Sequence, residues 1–272
     1  MPRLALHDTD LAYEDTGPGS TGETVVFSHG FLFDLELFRP QIEHLRDRYR
    51  IIAWDHRGQG RSADDRRRSI GIELVTDDAL ALLDRLAPEP VHFVGLSMGG
   101  FVGLRIAGRH PGRLRSLALL NTSAEAEPRS NLPRYRALAF LASRVGPARL
   151  ATRILPFMVG RTTLTAAERA EVRRDILGRI AANGPRATRA LGGVLEREGV
   201  EHLLPRIQVP TLIVAGEEDV ATVPAKAERL RSGIAGSRLV VLERCGHSSA
   251  LEAPGQVSAA LAAHLAAAGA AR

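Results

Sequence analysis

Val91-His92-Phe93-Val94-Gly95-Leu96-Ser97-Met98-Gly99-Gly100 is the stretch whose reading decides the fold of this chain. The run Val91 to Val94 has the composition and length of a buried strand. Beyond the serine, Met98 to Arg109 places Phe101, Leu104 and Ile106 at the spacing of a helix face packed on a sheet. Gly95-Leu96-Ser97-Met98-Gly99 therefore spells G-x-S-x-G between a strand and a helix, the context that a nucleophile elbow requires. A serine on so sharp a turn sits in a sparsely populated backbone conformation, and side chains two residues to either side would collide with it and with neighbouring backbone. Glycine at 95 and 99 removes that clash. The turn lifts the Ser97 hydroxyl clear of the sheet, and the Met98 N–H, free at the helix start, points where an oxyanion can form. A Gly-Ser turn that merely ends a strand is the simpler alternative, and the rest of the constellation weighs against it.

Working outward toward the N-terminus, Pro88 and Pro90 lead into the strand from a helix over Ile72 to Leu86. Arg50 to Trp54 and Thr24 to Phe27 read as further strands, Leu37 to Tyr49 as an amphipathic helix between them. Leu4 to Leu6 and Leu11 to Tyr13 read as an antiparallel entry pair. After Trp54, Gly58-x-Gly60-x-x-Ala63 nearly spells a dinucleotide fingerprint. Asp64-Asp65 and the Arg66-Arg67-Arg68 cluster follow it instead of an apolar helix face, so no helix N-terminus is ready to take a pyrophosphate. Asp55 and Arg57 are expected to brace this loop, and His29, at the end of the Thr24 strand, is expected to be a hydrogen-bonded structural residue.

On the other side of the elbow, Leu114 to Leu120 is a strand ending in Asn121-Thr122-Ser123, which completes an alternation of strands and helices typical of a parallel sheet covered on both faces. From Ala124 to Pro205 the alternation stops. Helical patterns run over Leu132 to Ser143, Pro147 to Val159, Leu164 to Ala182 and Pro185 to Arg197, with Thr165 and Glu168 spaced as a capping box. A helical block inserted after a strand beside the serine reads as a cap over the site. Its arginines at 129, 134, 136, 144, 149 and 153 are expected on solvated faces. Strands return at Val209 to Ala215 and Arg238 to Leu242, with helices over Pro224 to Leu230 and Pro254 to His264.

Two polar residues lie just past the ends of those last strands, Asp219 after Gly216-Glu217-Glu218 and His247 after Gly246, on the edge where open α/β sheets bind ligands. A serine hydroxyl is a poor nucleophile at neutral pH and needs a base to take its proton. His247 fits that role, and Asp219 would hold the imidazole in the right tautomer. Asp219 is preferred to Glu217 and Glu218 because it sits furthest inside the turn. His92, His110 and His202 lie in a strand, at a helix stop and in the inserted block, so they are expected to be structural. Cys245 is expected to be a small core residue rather than a second nucleophile.

Composition limits the alternatives. One cysteine allows no internal disulfide, which fits a reducing, cytoplasmic setting. The net charge of +5 is carried by scattered arginines, and aromatic residues make up only 4% of the chain, too few for the platforms of a nucleic-acid binder. No signal-like segment and no membrane-spanning apolar run is evident. The histidines lack ligand spacing, so neither a metal nor a cofactor is expected.

Together, Ser28-His29-Gly30-Phe31, the loop Trp54 to Ser62, Gly95 to Gly100, Gly216 to Asp219, and Gly246-His247 with Glu252 and Pro254 identify the chain as resembling the α/β-hydrolase superfamily, in which serine, aspartate and histidine occur in that order. The resemblance implies a mostly parallel, eight-stranded sheet with helices on both faces, with 1–123 and 206–272 as the core and 124–205 as a helical cap. It also implies that the Phe31 N–H is the second oxyanion donor beside Met98. Within the superfamily, Leu119 to Ser123 and the elbow are similar to 3-oxoadipate enol-lactonases and their esterase and cofactor-free haloperoxidase relatives. The expected activity is a serine hydrolase that cleaves a small ester or lactone through an acyl-enzyme. A C–C bond hydrolase of ring-cleavage products, a ligand-binding receptor on the hydrolase fold and an acyltransferase are the alternatives.

Overall fold

The computed structural model describes residues 1–65, 67 and 69–270; Arg66 and Arg68 of the arginine cluster lie outside the described residues. Eight strands, β1 (Arg3–Ala5), β2 (Asp10–Asp15), β3 (Thr24–Ser28), β4 (Arg50–Trp54), β5 (Val91–Leu96), β6 (Leu114–Leu120), β7 (Thr211–Gly216) and β8 (Arg238–Leu242), form one sheet in the order β1-β2-β4-β3-β5-β6-β7-β8. β1 and β2 are antiparallel to their neighbours; β3 to β8 are parallel. The chain winds from β3 outward to β4 and then returns to β5 on the other side of β3. A crevice at the C-terminal ends of the strands is expected at that reversal.

All six residues of β5 are buried, and successive side chains enter opposite cores. Val94 and Leu96 pack into the core shared with α1 (Arg39–Leu45) and α11 (Pro254–Ala270). Val91 and Phe93 pack into the core shared with α2 (Ile72–Leu86), α3 (Met98–Arg109) and α9 (Pro224–Gly233). Burial on both faces is why the strand reads as a continuous apolar run rather than an alternating one.

Between β6 and β7 lie α4 (Leu132–Val145), α5 (Pro147–Met158), α6 (Arg161–Thr165), α7 (Ala170–Ala182) and α8 (Thr188–Leu195), and α10 (Ser249–Glu252) follows β8. Several expected helices differ from their sequence reading; the one expected over Pro185 to Arg197 is a 3-10 turn over Pro185–Ala187 followed by α8. The helix expected from Leu37 opens as a 3-10 turn over Leu35–Phe38, where the Asp34 carboxylate accepts from the Glu36 amide at 3.1 Å; α1 then starts with Pro40 in its first turn and stops at Leu45. The helix expected over Leu164 to Ala182 is broken into α6 and α7, and the capping box does not form. The Thr165 hydroxyl donates to the Arg161 carbonyl at 3.0 Å instead. α6 begins earlier because acids from the core cap it: Gly160 N–H donates to Glu252 at 2.8 Å and Thr162 N–H to Glu218 at 2.7 Å. The last helix continues past His264 to Ala270 on an alanine-rich sequence, the best helix former.

No helix among the described residues is long and apolar enough to cross a membrane. His264 is buried on α11, and burial, with His92 and Arg238 nearby, lowers its pKa to about 4. The unfolded chain therefore takes up a proton at this position as pH falls below about 6.5, while the folded chain resists until about 4. The stability so held is complete above 6.5 and is lost on the way down to 4, amounting to at most about 3 kcal/mol. Denaturant titrations at pH 7.5 and pH 5 are expected to show a smaller loss of stability in His264→Gln than in the parent; an equal loss in both would remove His264 as a source of acid sensitivity.

Candidate active site

β5 ends at Leu96, and Ser97 takes φ 51° and ψ −110°, a conformation that L-residues rarely adopt. A Cβ on Gly95 would lie 2.3 Å from the Gly99 carbonyl oxygen, and one on Gly99 would lie 1.9 Å from that of Ser28. Both positions exclude any side chain, because backbone stands in the way. The strained residue is held by its own backbone: Ser97 N–H donates to Leu120 O at 2.9 Å, and Ser97 O accepts from Phe101 N–H at 3.1 Å and from the Thr122 hydroxyl at 2.8 Å. The Ser97 hydroxyl has no hydrogen bond among the described residues, and the Met98 amide opens α3, with no preceding turn to supply it a carbonyl.

After β7, the three acidic residues separate. Glu218 accepts from the Thr162 amide and hydroxyl, and Glu217 accepts from the Arg244 amide at 3.3 Å. Asp219 Oδ2 accepts from His247 Nδ1 at 2.9 Å, from the Thr222 hydroxyl at 2.6 Å and from Asn121 Nδ2 at 2.9 Å. Its Oδ1 accepts from the Ala221 and Thr222 amides at 2.8 and 2.9 Å. Burial pushes the Asp219 carboxyl up, but His247 and these donors outweigh it and hold the group below the ordinary carboxylate range. With Oδ2 ionised, Nδ1 of His247 must carry the hydrogen, which leaves Nε2 as the acceptor.

The His247 loop is clasped by Glu252. One carboxylate oxygen accepts from the amides on either side of the histidine, Gly246 and Ser248, both at 3.1 Å; the other accepts from Gly160 N–H and the Thr163 hydroxyl at the start of α6. Burial raises the Glu252 pKa against these four donors. The inserted helices and the histidine loop are thus tied to one side chain.

The remaining expected residues fall as follows. His29 Nδ1 donates to Gly30 O at 2.7 Å while its Nε2 accepts from His56 N–H at 2.9 Å, so it fixes the loop that carries Phe31. Asp55 accepts from the Leu35 and Arg61 amides, and Arg57 is buried among Asp8, Asp65 and Asp78; both brace their loop. His92 is buried and bonded to Ser116, and His110 and His202 are exposed. Cys245 is in the core, where burial pushes its thiol up. Arg129, Arg134, Arg136, Arg144, Arg149 and Arg153 are all exposed.

Ser97, Thr222, His247 and Phe31 line one cavity of about 140 Å³, with Asp219 behind His247. The inserted segment supplies much of the remaining wall, including Leu138, Ile154, Phe157 and Leu191. It also supplies four polar residues to which the sequence reading gave no role: Glu127, Tyr135, Thr188 and Arg197. Asn121 and Thr222 were likewise assigned nothing. Thr222 carried a readable signal, since an aspartate that accepts from the amides two and three residues on forms an Asx turn. Arg197 carried none, being one of many arginines in an arginine-rich segment.

A polar turn holding a serine, with a carboxylate-bound histidine on the same cavity wall and a helical insertion above, marks this as a site of the α/β-hydrolase class. A profile of the family described as alpha/beta hydrolase fold matches residues 23–254, and the chain belongs to that family. A pimeloyl-(acyl-carrier protein) methyl ester esterase of Neisseria meningitidis is 30% identical over 226 residues, which cover 82% of this chain and 86% of that protein. An esterase from Thermogutta terrifontis superposes with a TM-score of 0.88 at 29% identity, covering 98% of this chain and 99% of the other. The enol-lactonase from Burkholderia xenovorans superposes with a TM-score of 0.85 at 28% identity, covering 97% of this chain and all of the other, 100%.

Proposed function

We propose that this hydrolase cleaves a small ester or lactone through an acyl-enzyme, with Ser97 as nucleophile, His247 as base and then acid, and Asp219 orienting the imidazole. The observation that carries the reading is Ser97 held at φ 51° on the wall of a cavity that it shares with His247, whose Nδ1–H is bonded to Asp219. In the first half-reaction the Ser97 oxygen bonds to the substrate carbonyl carbon, its proton passes to His247 Nε2, and the carbonyl oxygen becomes an oxyanion facing the Phe31 and Met98 amides. Each such donor is worth about 3 kcal/mol. The C–O bond to the leaving alcohol then breaks, the proton on Nε2 goes to that alcohol, and water repeats the sequence to release the acid. Residues 124–205 act as the cap. A named esterase and a named enol-lactonase of matching length and shape support the reaction class.

The cavity of about 140 Å³ is close to the size that holds one benzene. Short acyl chains and small lactone rings are therefore the expected substrates. The test is turnover of a panel of p-nitrophenyl esters from acetate to dodecanoate and of five- and six-membered lactones, together with labelling by a fluorophosphonate and mass spectrometry of the labelled peptide. Turnover that peaks at short chains, with the label on Ser97, supports the reading; no turnover and no label on the folded protein would sink it.

A further inference from the structure

Two of the charged residues that line the cavity, Arg197 and Glu127, are buried. Arg197, just beyond α8, has a side chain only 3% exposed, and that of Glu127, on the segment leading into α4, is 8% exposed. The guanidinium lies over the ring of Phe101, 4.3 Å from its centroid. Phe101 is one helical turn from Ser97, its amide donating to the Ser97 carbonyl. The polar group therefore sits over a side chain that lies one turn along α3 from the nucleophile, on the wall of the same cavity.

The guanidinium is only partly satisfied. Nη1 donates to the Val194 carbonyl at 2.6 Å, Nη1 and Nη2 both reach the same oxygen of Glu127 at 3.4 Å, and buried Nε has no partner among the described residues. The other Glu127 oxygen is taken by Asn131 at 2.9 Å. Four Nη protons thus share two acceptors. Tyr135 lines the same cavity with its ring edge-on to Phe157. Burial, with Glu127 adding to it, pushes its phenol up, so the hydroxyl keeps its proton at neutral pH. The site offers donors whose charge is already balanced by one buried carboxylate.

We propose that this part of the cavity wall recognises an uncharged hydrogen-bond acceptor, a ketone or amide carbonyl carried on the chain of the ester, and that Arg197, balanced by Glu127 and assisted by Tyr135, is the specificity-determining residue. A neutral carbonyl takes the spare N–H groups without adding charge. A carboxylate would be a second buried anion beside Glu127, with its own desolvation to offset. The inference rests on the ester-hydrolase reading.

The test compares p-nitrophenyl hexanoate, 5-oxohexanoate and the adipate half-ester, and in a second series the acetates of hexanol, 6-hydroxyhexan-2-one and 6-hydroxyhexanoate, since the cavity could hold either side of the ester. In one of the two series the keto tail is expected to exceed both the plain and the anionic tail in kcat/KM by about tenfold, the value of one hydrogen bond to a charged group. In Arg197→Met combined with Glu127→Gln, which removes both charges and strands neither, the keto-over-plain ratio is expected to fall close to one. Tyr135→Phe, which leaves the ion pair at the base of the insertion intact, is expected to lower the same ratio severalfold, and it keeps the test alive if the double variant does not fold. A preference for the anionic tail, or a keto preference that survives in the variants, overturns the inference. Absence of turnover of the plain ester by the parent protein overturns the hydrolase reading instead.

Discussion

Ser97→Ala is expected to lower kcat on the preferred ester by roughly 10⁴-fold or more, to the level left by oxyanion donors and substrate binding alone. The size follows from what the substitution removes. The contacts that hold residue 97 in place are made by its backbone: the amide to Leu120, and the carbonyl from Phe101 and Thr122. An alanine Cβ occupies the same space as the serine Cβ, so the elbow keeps its shape and only the hydroxyl oxygen, the proposed nucleophile, is lost. The measurement is kcat on purified parent and variant with matched thermal unfolding curves, so that loss of activity is not loss of fold. A variant that keeps a hundredth or more of the parent activity would place the nucleophile elsewhere, and an activated water would take its role.

The elbow was legible in the sequence because its constraint is local: Gly95 and Gly99 are dictated by backbone atoms that any strand-turn-helix of this tightness brings together. The ends of β7 and β8 were legible because apolar runs stop there, which placed Asp219 and His247 on one edge of the sheet. What the sequence did not yield depends on contacts between distant positions. Asn121 meets Asp219 across 98 residues, Glu252 meets the start of α6 across 92, and Arg197 meets Glu127 across 70. No periodicity encodes such a pairing. The break between α6 and α7 has the same origin: the local pattern favoured one helix with a cap at Thr165, and two carboxylates from the core supplied a different start. Among the described arginines of the insertion, the six singled out in the sequence are exposed and the one that lines the cavity is Arg197, which only the fold distinguishes.

Asp219→Asn is expected to cost roughly 10⁴-fold in kcat, through the tautomer of His247 rather than through loss of the fold. The two amides that reach Oδ1, from Ala221 and Thr222, are fixed in the turn and can only donate. An asparagine at 219 must therefore turn its carbonyl oxygen toward them, which leaves its NH₂ facing His247, Thr222 and Asn121. One of these can adapt. The Thr222 hydroxyl can rotate to accept, whereas the Asn121 NH₂ also donates to the Gly246 carbonyl at 3.0 Å, so that a flip would set two oxygens face to face and its NH₂ stays opposed to that of residue 219. His247 can satisfy the NH₂ only by accepting at Nδ1, which moves its hydrogen to Nε2. The imidazole then presents a donor to Ser97 and cannot take the serine proton at neutral pH. Stability responds separately. The Asp219 carboxyl is held below its ordinary value, so what it contributes is present above about 3.8 and fades as pH falls through the lowered value; the asparagine variant lacks that part of the acid transition. Measured kcat at neutral pH and acid unfolding of both proteins check the two effects independently. A loss of less than about tenfold in kcat would mean that other groups hold the imidazole, and Thr222, whose hydroxyl lies 3.3 Å from Nδ1, would be the next to test.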